Sequence, residues 1–149
     1  MLFRSIKAIY PVIWGVGQVI TGPLADRIGR KPLIVWGMIT QALGHVVIGF
    51  GLANPFAAGL AGSALLGIGT AMVYPALLAA VGDAAHPSWR ATSVGVYRFW
   101  RDLGYAIGAL MAGLVAGLLG LVWSVHVAGL LTLVSGLVAW KLMRETLRN

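Results

Sequence analysis

The 149-residue sequence is 59% hydrophobic and only 10% charged, whereas soluble domains carry about 25% charged residues, so an ordinary soluble domain is excluded and a membrane protein is indicated. A formal net charge of +7 does not mark a nucleic-acid binder, because the basic residues stand at the ends of apolar runs rather than in one patch. With no cysteine in the chain there is neither a disulfide framework nor a thiolate metal site.

Taken in order, the chain opens with Arg4 and Lys7 and then runs uncharged from Ala8 to Ala25. A secretory leader is disfavoured, since Pro23 stands where a small residue is needed and Asp26 follows at once. A first spanning helix is predicted over about 6–24, close to the roughly 20 residues needed to cross the hydrocarbon. The charged stretch Gly22–Lys31 follows. No charge occurs from Pro32 to Gly82, and the Asn54-Pro55 step is the only strong breaker inside that run, because proline disfavours helical geometry in the residue before it. Helices are therefore predicted over about 32–52 and 55–81, with Pro32 and Pro55 in first turns. A polar link, Asp83–Arg90, leads to a fourth span over about 94–117. The long uncharged run that continues to Trp140 is split near residues 117–121, leaving a fifth span over about 122–140. The fold class is all-α, a polytopic bundle of five transmembrane helices in a single membrane domain, residues 1–149.

The Lys/Arg distribution sets the orientation. Arg27, Arg30 and Lys31, then Arg90, Arg98 and Arg101, then Lys141, Arg144 and Arg148 share one face, and only Arg4 and Lys7 occupy the other. The charged hairpin, the third-to-fourth link and the C-terminus are thus expected in the cytoplasm, with the chain in the plasma (inner) membrane. The N-terminus then falls outside, which is most simply understood if the chain is the tail end of a longer protein.

The stretch Gly22-Pro-Leu24-Ala25-Asp26-Arg27-Ile-Gly29-Arg30-Lys31 resembles the G-x-L-a-D-r-x-G-r-k signature of the major facilitator superfamily, and every specified position matches. A merely basic anchoring loop accounts for Arg30 and Lys31 but not for Asp26 or the two glycines. Gly22 is expected to admit a neighbouring helix, Gly29 to make a tight turn with positive φ, and Asp26 to bind a cation or a helix N-terminus. In the family such hairpins precede the third and ninth of twelve helices. The Tyr97–Tyr105 region resembles the family's eleventh helix, so the five spans resemble helices eight to twelve, part of a C-terminal half whose N-terminal partner half is missing.

The resemblance implies a secondary transporter that moves a small organic solute by alternating access, with proton coupling expected. The runner-up is a non-transporting membrane scaffold or assembly subunit of the same fold. An enzyme is not expected, since no nucleophile–base set or carboxylate pair is present, and no cofactor is implied. The conformational gate is assigned to Gly22, Asp26, Arg27, Gly29, Arg30 and Lys31 with Asp83, Arg90, Arg98, Arg101 and Asp102. Asp83 is the expected partner of Arg30 or Arg90, and Arg98 and Asp102, four apart, can pair. By resemblance the eighth, tenth and eleventh helices line the solute path. That nominates Tyr10, Trp14 and Gln18, spaced along one helix face, with Thr70, Tyr74 and Tyr105. Gly104, Gly108, Gly113 and Gly117 form two G-x-x-x-G pairs that permit close helix contact. His45 and His126 fall on the expected peripheral helices, and no metal site is expected. The partners are the lipid bilayer, a small-molecule solute and the missing half, with no nucleic acid.

Overall fold

A computed structural model describes residues 2–147, with side chains described from residue 8 onward except at position 52. The chain forms α1 (Leu2–Ile28), α2 (Arg30–Phe50), α3 (Pro55–Ala84), α4 (Arg90–Leu119) and α5 (Leu121–Leu142). All five are long and apolar enough to cross a membrane. Every helix runs beyond the span predicted for it at one end or both. α1 continues through Pro11 and Pro23 and α3 through Pro75, as spanning helices allow when the freed carbonyl finds another donor.

For Pro75 that donor is visible. Proline has no N–H, so the carbonyl of Ala71, four residues earlier, loses its helical partner. The hydroxyl of Thr21 on α1 donates to it, and Thr21 is buried. One side chain thus satisfies an orphaned carbonyl and ties α1 to α3.

The helix ends follow local chemistry. Asn54 caps α3, its Oδ1 accepting from the Ala57 N–H at 3.1 Å, with Pro55 opening the helix. Short 3-10 turns occupy Gly51–Ala53 and Pro87–Trp89. Single glycines make the other two connections. Gly29 has φ 102° and ψ 159°, and Gly120 has φ 95° and ψ 162°, a region of backbone space essentially restricted to glycine.

α3 packs against both α1 and α2, α2 also packs against α5, and α4 rests mainly on α5. The tightest seam joins α2 to α3. A Cβ placed on Gly37 would lie 2.9 Å from the Gly69 carbonyl oxygen, and one on Gly69 would lie 2.6 Å from that of Gly37. Two turns further along, Gly44 and Gly62 repeat the arrangement, at 3.0 and 2.9 Å. The seven-residue spacing on each helix keeps both contacts on one face. The core lies at the hairpin end, where Ala25, Leu33, Ile34 and Ala76 are buried beneath Met38, Met72 and Met143. By contrast α4 has no buried residue. Gly104, Gly108, Gly113 and Gly117, expected to support close helix contact, meet nothing within 4 Å among the described residues.

Candidate functional site

The hairpin is built around a buried guanidinium. Arg30 is 8% exposed because it opens α2 directly after the Gly29 turn, pointing between the ends of α1 and α3. Its Nη1 donates to Asp26 Oδ1 at 2.5 Å, and its Nε donates to Asp83 Oδ2 at 3.1 Å. Asp26 lies four residues earlier in sequence, on α1, and Asp83 closes α3, so one arginine ties three helices together. Charged donors and acceptors make such hydrogen bonds roughly twice as strong as neutral ones. Of the two partners anticipated for Asp83, the structure selects Arg30. Arg90 and Arg27 are exposed and form no ion pair among the described residues.

A fourth segment reaches this cluster. After α5 the chain turns back across the hairpin, and Glu145 accepts from the N–H groups of Arg30 at 2.9 Å and Lys31 at 3.1 Å. It also accepts from Thr146 and Leu147. A carboxylate at the start of α2 satisfies donors that lack intrahelical partners and meets the positive end of the helix dipole. Partial burial pushes the Glu145 carboxyl up, but the backbone donors of Leu147, Arg30, Lys31 and Thr146 outweigh that and hold it below its ordinary range. Of the two uses expected for Asp26, it takes the cation, pairing with Arg30, and Glu145 takes the helix end. Counting only the bases of the tail hides this acid. Gly29 is buried under it, since a Cβ there would lie 2.5 Å from Glu145 Oε2. Gly22 does not have the close neighbour expected of it: nothing lies within 4 Å of its Cβ position among the described residues. Arg148 lies outside the described residues, as do the side chains of Arg4 and Lys7.

Further along, on α4, the expected Arg98–Asp102 pair is not formed. Arg101 takes Asp102 instead, with Nε at 2.8 Å and Nη2 at 2.7 Å from Oδ1, while Arg98 is exposed. Arg101 points toward α3, where Nη1 donates to the Tyr74 hydroxyl at 3.0 Å and the guanidinium lies 5.6 Å from the Tyr74 ring centre. Arg101 thus bridges the Tyr74 hydroxyl and the exposed Asp102 carboxylate, while Arg98 stays on the outer face.

Between all five helices lies a cleft of about 740 Å³. Tyr10, Thr70, Tyr74 and Tyr105, all nominated from sequence, line it. Trp14 sits behind them, 6.1 Å from the Tyr10 ring and 6.0 Å from the Tyr74 ring. Its buried indole N–H has no acceptor among the described residues. Gln18 is not on the cleft wall and makes no side-chain hydrogen bond among the described residues. Gln41, not nominated from sequence, and His45, expected on a peripheral helix, also line the cleft. Gln41 donates to Thr70 Oγ1 at 2.9 Å, where the Tyr10 hydroxyl also donates at 3.2 Å. His45 Nδ1 donates to the Gln41 carbonyl at 2.9 Å. An amide and an imidazole four residues apart share one helix face, and in an uncharged span that is the available signal. The expectation that α2 faces lipid more than the path leaves it unused.

Five helices long and apolar enough to span a membrane, around a charged hairpin and a cleft, define a polytopic helical membrane protein. The chain matches the Major Facilitator Superfamily over residues 5–149 and belongs to that family. It is 27% identical over 141 residues to the inner membrane transport protein YnfM of Escherichia coli, covering 93% of this chain and 33% of that protein. It is likewise 27% identical to multidrug resistance protein 2 of Bacillus subtilis, covering 90% of this chain and 34% of that protein. For citrate exporter 1 of Aspergillus niger the identity is again 27%, covering 94% and 26%. The chain therefore spans about a third or less of the length of these curated relatives.

Proposed function

We propose that this chain is helices eight to twelve of a twelve-helix secondary transporter, which moves a small organic solute by alternating access coupled to protons. The observation that carries the reading is Arg30, buried and held at once by Asp26 on α1 and Asp83 on α3. A family that works by rocking helices needs a contact that exists in one arrangement and separates in another. A charged clasp across three helix ends has that character, because the buried Arg30 guanidinium regains water when it opens. The exposed face of Asp26, whose side chain is 64% accessible, leaves room for a helix end from the other half. Arg101, Asp102 and Tyr74 form a second polar contact between α3 and α4, nearer the cleft.

In this reading the hairpin, the α3–α4 link and the C-terminus face the cytoplasm, as nine of eleven basic residues favour. Tyr10, Thr70, Tyr74 and Tyr105 form this half's wall of the solute path, with Gln41 beside them. Relatives named for citrate export and for multidrug resistance support outward movement of an organic solute. The test uses the full-length protein in proteoliposomes. Asp26→Asn and Asp83→Asn together are expected to cut the initial transport rate at least tenfold while membrane insertion and yield hold. Wild-type rates in the double variant would remove the clasp from the mechanism. Saturable flux through this chain alone would remove the need for a second half.

A further inference from the structure

On the opposite face of α2 from the cleft, a groove of about 430 Å³ runs between the start of α2 and the end of α5. Its size lies within the roughly 300–1,000 Å³ of small-molecule sites. Val35, Ile39 and Leu137 form apolar walls. Gly136 lies beside them, and its Cβ position 3.0 Å from Met38 Cβ lets α5 close on α2. Two indoles flank the groove, Trp36 and Trp140, at 62% and 63% exposure. Lys31 stands at its mouth.

We propose that this groove is a binding site for an anionic glycerophospholipid, with an acyl chain along Val35, Ile39 and Leu137 and the phosphate at Lys31. The charges decide the choice of occupant. Arg30, the adjacent cation, is satisfied by two carboxylates, whereas Lys31 forms no ion pair among the described residues. The nearest carboxylate, Glu145, is engaged by backbone N–H groups rather than by the Lys31 ammonium. Lys141, in the last turn of α5, and Arg144 are also exposed and without an ion pair among the described residues. This end of the groove therefore carries uncompensated positive charge, which a zwitterionic headgroup neutralises poorly. Tryptophan pairs at this level suit the boundary between hydrocarbon and headgroups. The site requires the chain to lie in a bilayer and does not depend on solute transport.

The test is quenching of tryptophan fluorescence by brominated lipids, with the protein in phosphatidylcholine nanodiscs. Subtracting the signal of the Trp36→Phe/Trp140→Phe variant isolates the two flanking indoles. Brominated phosphatidylglycerol is expected to quench that share at several-fold lower mole fraction than brominated phosphatidylcholine. A lysine near an anionic headgroup contributes about fivefold in association, so Lys31→Gln should remove most of the preference and Lys31→Arg should keep it. Lys141→Gln, outside the groove wall, should lower it less than Lys31→Gln does. Equal quenching by the two lipids, or equal losses in Lys31→Gln and Lys141→Gln, would overturn the site in favour of ordinary annular lipid or diffuse surface charge.

Discussion

The seam between α2 and α3 and the surface of α4 are written in the same residues and behave differently. Both are apolar helices with regularly spaced glycine. Gly37 and Gly44 meet Gly69 and Gly62 at backbone distance, while the four spaced glycines of α4 meet nothing within 4 Å among the described residues. Glycine spacing states that a close approach is permitted; only a partner makes it happen. In lipid that distinction is sharp, because association rests on packing rather than on expulsion of water. If the chain is half of a larger bundle, the open face of α4 is where the rest of that bundle acts.

The largest expected effect breaks this comparison directly. Gly69→Val drives new carbons against the Gly37 carbonyl and Gln41, and overpacking of this kind costs about 3 kcal/mol. Gly108→Val on α4 should change stability by less than about 0.5 kcal/mol. Reversible unfolding of the chain in mixed micelles measures both. Similar losses at the two sites would show that α4 already has a packed face in solution. In the full-length protein Gly108→Val should become costly, and that contrast sharpens the case for an absent partner.

Next comes a comparison between two hydroxyls. Thr21 answers the Ala71 carbonyl that Pro75 has orphaned, so Thr21→Val leaves a bare acceptor in the bundle and costs about 2 kcal/mol. Ser124 also crosses helices, donating to the Ala112 carbonyl at 3.0 Å, but Ala116 is not a proline and its N–H serves that oxygen within α4. Ser124→Ala should cost about 0.6 kcal/mol, typical of hydrogen bonds between spanning helices. The double variant Thr21→Val/Pro75→Ala tests the cause, since it returns an N–H to the Ala71 carbonyl. Recovery of most of the loss is expected in a double-mutant cycle, and strict additivity would show that the proline plays no part.

These pairs also mark how far the residues alone disclose the fold and the site. The spans are legible because hydrocarbon demands apolar runs, and the hairpin because charge has few places to go in such a chain. The clasp is half legible: Asp26 and Arg30 share one charged stretch, but their pairing runs across the Gly29 turn between two helices. Asp83 is reachable as a candidate, but its choice of Arg30 over Arg90 depends on how α3 meets α1. The exchange of Arg98 for Arg101 as the partner of Asp102 is not legible, because it turns on Tyr74 of a different helix. Nor is Thr21, whose role exists only because the carbonyl freed by Pro75 lies opposite it. Side chains that serve another element's backbone leave no periodic trace in their own.

The last comparison separates the two glycine turns. Gly29 and Gly120 share one backbone geometry, and alanine at either position costs about 1–3 kcal/mol in backbone strain. Only Gly29 carries the tail, because a Cβ there also strikes Glu145, so Gly29→Ala should in addition free the amides of Arg30 and Lys31 to exchange. Acid should do the same without strain. The Glu145 carboxyl is held below its ordinary range by the backbone donors despite partial burial. Its contribution is therefore present in full above the ordinary glutamate value of about 4.3 and fades as pH falls through the lower, folded-state value. Hydrogen exchange at Arg30 and Lys31, followed downward from about pH 6, should show protection lost only below about pH 4.3, and Glu145→Gln should weaken it above that pH. Protection that is indifferent to both would mean that the first turn of α2 is held by packing alone, and the tail would then be a passenger on the hairpin rather than its cap.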